Sequence, residues 1–292
     1  MRWQTVRKQF DRRAARLGQH DFLLREVAGR LADRLDYIRL APRRIVDLGC
    51  GYGRSRVLLA SRFPKAHWVG VDLSLPMLAA GGMNRGSVAT WLDRVRGRSA
   101  HLVCAEAANL PFADGLYDLA FSNLMLHWHP APHSVFPEWK RVLEVDGLLL
   151  FSCFGPDTLQ ELRAACAEVS LDARPLPFID MHDFGDMMVA AGFATPVMDV
   201  ETIRLTYATA QDLLTEVRAL GGNPRDDRAR ALVSGARARA LLAALEKRRD
   251  PSGRISLTFE IAYGHAWKPA PRNGQSVISL DRLRAGLAAR GA

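Results

Sequence analysis

The stretch that decides the fold is Ile45-Val46-Asp47-Leu48-Gly49-Cys50-Gly51-Tyr52-Gly53-Arg54. A short apolar run ends in an acid, and three glycines follow at every second position. The run predicts a buried strand, and a helix is predicted over about residues 54–63. Glycine at the turn permits positive φ and lets a ligand lie against the backbone. Because the helix directs its first N–H groups at the turn, the stretch predicts a nucleotide-type cofactor site.

The glycine spacing indicates which cofactor binds. A dinucleotide loop has the spacing G-x-G-x-x-G. Here the spacing is G-x-G-x-G, and Asp47 stands two residues before Gly49. A pyrophosphate needs the third glycine one step later, where helix and strand pack closely. A cofactor without phosphates that carries an amino-acid end can bind its ammonium group to such an acid instead. The spacing therefore disfavours a dinucleotide.

A second apolar run, residues 67–74, contains Asp72 at its end. It lies about 20 residues past the loop, where an α/β nucleotide fold places its ribose-binding carboxylate. Asp72 could instead cap the helix that begins near Leu75, since Asp and Ser are both good N-caps. Ser74 is better placed for that cap, so we assign Asp72 to the ribose diol.

Strands and helices alternate over residues 43–154, which predicts a parallel sheet with right-handed crossovers. The later strands are predicted at residues 102–107, 117–123, 148–153, 197–205 and 257–267. About 50 residues separate the last two strands, where a minimal fold of this class has a tight turn; they contain helical patterns at residues 210–220 and 228–247. Because loops on a rigid scaffold carry function, we expect this insertion, residues 206–255, to serve a substrate or partner.

In this order the segments resemble the class I S-adenosylmethionine-dependent methyltransferases, over residues 45–151. The resemblance implies an α/β Rossmann-like fold: a seven-stranded, mostly parallel sheet with an antiparallel last strand and helices on both faces. It also implies S-adenosyl-L-methionine as the cofactor. The glycine loop would surround its methionine end, Asp72 its ribose, and the remaining residues its adenine or the pocket wall. The implied cofactor residues are Asp47, Gly49, Gly51, Gly53, Asp72, Leu73, Glu106, Ala107 and Asn123.

Segments outside the core narrow the resemblance to the malonyl-acyl-carrier-protein O-methyltransferases of biotin synthesis. They are residues 10–15, 122–128, 154–163 and 257–267. This family implies methyl transfer to the free carboxylate of a malonyl thioester on acyl carrier protein, an early step in making the pimeloyl chain. Two alternatives stay open. Residues 154–159 fit a mitochondrial complex I assembly factor that hydroxylates an arginine about as well, and the generic fold also fits a methyltransferase of RNA or of a small metabolite.

A carboxylate acceptor determines which catalytic groups the site needs. The carboxylate is already ionised at neutral pH and needs no general base, but it needs a cation, preferably a bidentate arginine, and apolar walls. By position, Arg204 on predicted strand six and His127 after strand four are candidates, with Trp128 as a wall. His127 could equally be a helix-end histidine with a backbone partner. The pair of His127 and His129 lacks a third ligand, so we expect no metal.

Composition limits the class and the partners. With 292 residues and 48% hydrophobic residues, the chain fits an ordinary globular protein. We expect an N-terminal helical segment at residues 1–40, a methyltransferase domain at 41–271 and a tail at 272–292. No apolar run approaches the ~20 residues that span a bilayer, and the start lacks the apolar core of a secretory signal. Cys50, Cys104 and Cys153 are expected to be buried free thiols, which indicates a cytoplasmic protein. We expect a monomer that does not bind membranes.

The formal charge of +9 suggests an acidic partner. An acyl carrier protein is acidic and would be steered by basic residues. RNA would also be attracted, but the basic clusters lack the interleaved aromatic residues that stack bases, so nucleic acid is disfavoured. A solvated helix face is the other interpretation of the later cluster. The clusters are Arg2, Arg7, Lys8, Arg12, Arg13 and Arg16, and then Arg225, Arg228, Arg230, Arg237, Arg239, Lys247, Arg248, Arg249 and Arg254.

Overall fold

One seven-stranded sheet organises the computed structural model of the chain, which describes residues 2–15, 18, 20–81, 101–171, 178–221 and 235–271. The strands are β1 (Arg44–Leu48), β2 (His67–Asp72), β3 (His101–Cys104), β4 (Tyr117–Ser122), β5 (Leu143–Phe154), β6 (Ala194–Tyr207) and β7 (Ile255–Trp267). Their order is β3-β2-β1-β4-β5-β7-β6. The first five strands pair in parallel, and β7 runs antiparallel to both β5 and β6. The predicted fold class is confirmed.

Helices cover both faces of the sheet. They are α1 (Trp3–Arg13), α2 (Phe22–Asp33), α3 (Ser55–Arg62), α4 (Leu75–Ala80), α5 (Val135–Val142), α6 (Gln160–Glu168), α7 (Met181–Ala190), α8 (Ala210–Leu220) and α9 (Gly235–Glu246). One core includes Leu31 of α2 and Leu59 of α3, and the other includes Trp139 of α5 and Phe184 of α7. β1 lies between these two layers, so its residues Ile45 to Leu48 are all buried. This double burial explains why its sequence is a continuous apolar run broken only by one acid.

The structure moves some predicted boundaries. β5 begins at Leu143, although the Asp146-Gly147 pair predicted a turn before residue 148. Asp146 has φ of 62°, and the pairing of β4 with β5 shifts register between Tyr117 and Leu119, so the predicted turn is a bulge inside a longer strand. Residues 172–177, the start of the second insertion helix at 228–234 and the tail at 272–292 lie outside the described residues.

The topology places a ligand crevice at the carboxyl end of β1. β1 lies between β2 and β4, so the chain crosses in opposite directions from it, and open α/β sheets bind ligands at such a point. Helices α1 and α2 precede β1 in the chain, and their side chains reach this end of the sheet.

Two expectations from composition can be compared with the described residues. None of the described helices has the length and apolarity that crossing a membrane requires. All four cysteines are free, but Cys104 is exposed, so the expectation that it is buried is wrong. The reason is that β3 is an edge strand with few covering residues among those described.

Candidate active site

A cavity opens at the carboxyl ends of β1, β2 and β4, beneath α1 and α2. The structure brings most of the predicted cofactor residues together around it. Those that line the cavity are Asp47, Gly49, Gly51, Asp72, Leu73, Glu106, Ala107 and Asn123. Gly53, also predicted, does not line it.

The three loop glycines all have positive φ, of 76°, 53° and 68° in chain order. They differ in what a side chain would meet. A Cβ on Gly49 would lie 2.2 Å from Cγ of Met125, and one on Gly53 would lie 3.3 Å from the ring of Trp68. A Cβ on Gly51 would meet nothing within 4 Å. Gly49 and Gly53 therefore allow close packing of the loop, whereas Gly51 leaves open space where a ligand can approach the backbone.

Asp72 lies at the end of β2 and is tied to the glycine loop. The Gly51 N–H donates to its Oδ2 at 2.9 Å, and the Ser74 N–H donates to its Oδ1 at 2.8 Å. Ser74 caps α4, since its Oγ accepts from the Met77 N–H at 3.3 Å, as its position predicted. Burial raises the pKa of Asp72. Each carboxylate oxygen keeps a further lone pair, so the residue can still accept hydrogen bonds from a diol.

Asp47 is the most deeply buried acid of the cavity, with 1% of its surface exposed. The Ser55 hydroxyl at the start of α3 donates to its carboxylate. Burial raises the pKa of Asp47 to about 7, because desolvation disfavours the charged form. A cationic group brought into the cavity would offset that cost. The buried carboxylate of Asp47 therefore fits the ammonium group that the resemblance implies.

A histidine and a glutamate are in contact at the wall of the cavity. His129 Nε2 lies 2.7 Å from Oε1 of Glu106, and both residues line the cavity. The Ala108 N–H also donates to Oε1 of Glu106, at 3.1 Å. The sequence indicates His129 only as a possible metal ligand and does not predict its pairing with Glu106. Nothing in the spacing of the two residues indicates it, because β4 and the loop after β3 separate them in the chain.

Asn123 closes one wall by linking three elements. Its Nδ2 donates to the Leu24 carbonyl of α2 at 2.9 Å, and its Oδ1 accepts from the Ser152 hydroxyl of β5 at 2.9 Å. The side chain therefore fixes α2 against the ends of β4 and β5.

Helix α1 covers the cavity. Trp3, Val6, Arg7 and Phe10 line it, at the spacing of one helical face. The helix is held at both sides: the Tyr52 hydroxyl donates to the Ala14 carbonyl, and Gln9 Nε2 donates to the Gly221 carbonyl at the end of α8.

Trp128 fills the junction between these elements, as its predicted role as a wall implies. It contacts the Phe10 ring edge-on at 5.2 Å and lines the cavity. Gly221 packs against the same indole, since a Cβ there would lie 2.0 Å from Trp128. The insertion thus contributes to the cover through the end of α8.

Three arginines line the cavity: Arg7, which belongs to the N-terminal basic cluster, and Arg25 and Arg54, which the sequence does not indicate as site residues. Arg25 Nε lies 3.2 Å from Oδ1 of Asp21, and Arg54 Nε lies 3.0 Å from Oδ2. Asp21 is buried, and both guanidinium side chains are more than half exposed. Two cations share one carboxylate, so these three side chains together keep a net positive charge.

The two residues predicted to position the substrate do not line the cavity. His127 is buried between the rings of Trp128 and Phe154, at centroid distances of 4.9 and 4.5 Å, and its Nδ1 lies 3.6 Å from Cys153 Sγ. Burial lowers the pKa of His127 to about 3, so the imidazole is neutral at physiological pH. Arg204 is exposed on the edge strand β6, opposite Thr258.

The chain is similar in sequence and in fold to known methyltransferases. A model of the methyltransferase domain matches residues 46–151. A malonyl-acyl-carrier-protein O-methyltransferase from Laribacter hongkongensis is 44% identical over 268 residues, which cover 91% of this chain and 90% of that protein. One from Gallionella capsiferriformans is 40% identical, covering 95% and 96%. The crystal structure of the YcgJ protein from Bacillus subtilis superposes with a TM-score of 0.56 at 16% identity, covering 85% of this chain and all of that one, which supports the fold alone.

Proposed function

The chain belongs to the family of malonyl-acyl-carrier-protein O-methyltransferases, and we propose that it methylates the free carboxylate of a malonyl thioester on acyl carrier protein. The observation that carries this proposal is the extent of the similarity. The relatives match 91% and 95% of the chain, well beyond the shared methyltransferase domain at residues 46–151. Similarity over that length favours this acceptor over the arginine of an assembly-factor relative, or over RNA or a small metabolite.

We further propose S-adenosyl-L-methionine as the methyl donor. When bound, it supplies a methyl group on a positively charged sulfur. The side chains around the cavity fit its three parts. Asp47 would bind the ammonium group, Asp72 would accept hydrogen bonds from the ribose, and Leu73 with residues 106–107 would line the adenine side. Asn123 would help to close the pocket around the donor.

The acceptor carboxylate needs orientation rather than proton removal. At neutral pH it is already ionised, so the protein must align it with the methyl group and exclude water. The cavity arginines Arg7, Arg25 and Arg54 can hold it, and Phe10 with Trp128 supplies apolar walls. His127 is neutral and Arg204 lies on the sheet edge, so we assign the carboxylate grip to the cavity arginines. We also propose that the enzyme acts as a monomer in the cytoplasm, a compartment in which its free cysteines would stay reduced.

A labelling experiment tests the proposed acceptor. The protein is incubated with methyl-labelled S-adenosylmethionine and either malonyl or acetyl acyl carrier protein; the acetyl form lacks the carboxylate. We expect a base-labile methyl ester on the malonyl form only. Growth of a biotin auxotroph that lacks this methylation step should be restored by the gene and not by an Asp72→Asn variant. Transfer of label to RNA or to a small metabolite, with none to malonyl carrier protein, would refute the proposal.

A further inference from the structure

The outer face of α1 carries positive charge that the cavity does not use. Lys8 and Arg12 lie four residues apart, so they project from the same side of the helix, and both are exposed. Val6 and Phe10 project from the opposite side, toward the cavity. Within the part of the chain that the structure describes, neither Lys8 nor Arg12 has an ion-pair partner. The only acid of α1, Asp11, accepts a hydrogen bond from Ser74 at 2.5 Å and lies 3.8 Å from the Arg7 guanidinium.

The cavity mouth adds to this charge. Arg7 lies on the rim of the helix, and Arg25 and Arg54 flank the opening while sharing the single carboxylate of Asp21. Basic side chains therefore extend from the outer face of α1 to the opening, with Asp11 as the one acid of the helix among them. We define this surface as the α1 basic face, made of Arg7, Lys8, Arg12, Arg25 and Arg54.

The later basic cluster differs in the residues that the structure describes. Arg248 pairs with Glu168, Arg249 pairs with Glu246, and Arg254 donates to Thr206 Oγ1 at 2.8 Å. The charges of Arg248 and Arg249 are therefore compensated, whereas Arg239 is exposed and has no ion pair among the described residues. Of the two clusters that the sequence offers, the N-terminal one reaches the cavity through Arg7, whereas no described residue of the later one lines it.

We propose that the α1 basic face is the docking surface for the acidic carrier protein. This inference rests on the proposed function, because the carrier protein is its substrate. A helix is only about 10–12 Å across, so a carrier protein docked on α1 can pass its flexible acyl-bearing arm around the helix edge, past Arg7, into the cavity. Opposite charges on the two surfaces would accelerate the encounter and set its orientation.

Two other occupants fit the face less well. A membrane surface would need an apolar helix face to insert, and the apolar face of α1 already packs on the cavity. A nucleic acid would need aromatic side chains for base stacking, and the outer positions Gln4, Lys8 and Arg12 offer none.

Charge reversal tests the docking surface. The double variant Lys8→Glu/Arg12→Glu is compared with Arg39→Glu/Lys65→Glu. The second variant changes the net charge equally, but its residues are exposed just before β1 and β2, at the amino ends of these strands and away from the cavity. We expect KM for malonyl carrier protein to rise by about tenfold or more in the first variant only, and its dependence on salt to weaken. Kinetics with malonyl-pantetheine, which has no carrier protein, should change by less than about twofold in both.

The outcomes separate this inference from the proposed function. An equal rise in KM in both double variants, or no rise in either, overturns the docking surface. A similar loss with malonyl-pantetheine overturns it too, because the defect would then lie in the cavity. So would unchanged carrier kinetics combined with lost binding to RNA or to anionic vesicles. If the unmodified enzyme methylates neither malonyl compound, the proposed function itself fails.

Discussion

Some residues of the site can be identified from the sequence, and others cannot. The sequence predicts that the glycine loop, Asp47 and Asp72 lie together, because positive φ, an acid at a strand end and spacing along one βαβ unit are local features, and the structure places them around one cavity. Arg25 and Arg54 could not be identified from the sequence, because an arginine on a polar helix face carries no pattern that distinguishes a cavity wall from solvent. Their position depends on Asp21, which folding brings between them.

Gly51 provides a test of the cofactor site at the scale of one atom. Gly51→Ala places a methyl group where no protein atom lies within 4 Å. We expect it to destabilise the fold by only about 1 kcal/mol, from its positive φ, while affinity for S-adenosylmethionine falls at least about tenfold because the methyl group occupies cofactor space, ~1.4 kcal/mol. Gly253→Ala is the matched control, since its φ is 76° and its Cβ also meets nothing. Calorimetric titration and thermal unfolding of both variants decide; equal cofactor affinity in the two would contradict the assignment.

Asp47 should make the ligand-free protein less stable as pH rises. Its pKa is about 7 when folded, because of burial, against about 3.9 in an unfolded chain. Between these values the native state binds more protons, so the free energy of unfolding falls with increasing pH. Asp47→Asn keeps an acceptor for Ser55 and removes the penalty. We expect little gain near pH 4 and a gain of a few kcal/mol near pH 8, at about 1.4 kcal/mol per pKa unit.

Thermal unfolding across this pH range measures the effect, and Glu138→Gln supplies a contrast of opposite sign. The hydrogen bond from Arg141 lowers the pKa of Glu138, so its charge stabilises the fold above its unfolded pKa, and the Gln variant should lose stability at neutral pH. If the Asp47→Asn variant were less stable than the unmodified protein near pH 8, burial of the charged carboxylate would not destabilise the fold.

At the scale of elements, the core strands were predictable and the cover was not. β1, β2 and β4 are short apolar runs with polar ends, and their predicted and observed bounds differ by at most two residues. The cover depends on contacts between α1, the turn at Trp128 and the end of α8, which are distant in sequence. The predicted helix at residues 210–220 matches α8, but no periodicity shows that its last turn would meet the N-terminal helix.

Phe10 should control how tightly the cover closes. Phe10→Ala removes the edge-on contact with Trp128 and opens a gap between α1 and the cavity. We expect the dissociation rate of S-adenosylhomocysteine, followed by stopped-flow fluorescence, to rise at least about fivefold, because truncating such a ring contact costs about 1 kcal/mol or more. Phe22→Ala is the matched control, since Phe22 is 55% exposed on α2. Equal rates in the two variants would mean that α1 does not retain the ligand.

At the scale of the whole molecule, the sheet order determines where the site must be. β1 lies at the point where the strand order reverses, and the residues that line the cavity come from the N-terminal helices, the loop after β1 and the ends of β2 and β4. The sequence predicts this core arrangement because each strand and helix follows in order. The sequence also predicts a helical segment at residues 1–40 apart from the methyltransferase domain. In the structure, α1 and α2 of this segment supply walls of the cavity.

Hydrogen exchange should show this distribution directly. Adding S-adenosylhomocysteine should slow amide exchange in α1, in the loop of residues 49–54 and at residues 105–107, because these segments line the cavity and binding opposes their local opening. Exchange in α9 and in β6 around Arg204 should stay unchanged, since neither lines the cavity. In Gly51→Ala the protection should disappear at the same ligand concentration. Protection confined to β6, with none in α1, would place the ligand at the sheet edge and remove the structural basis for a cover formed by the N-terminal helix.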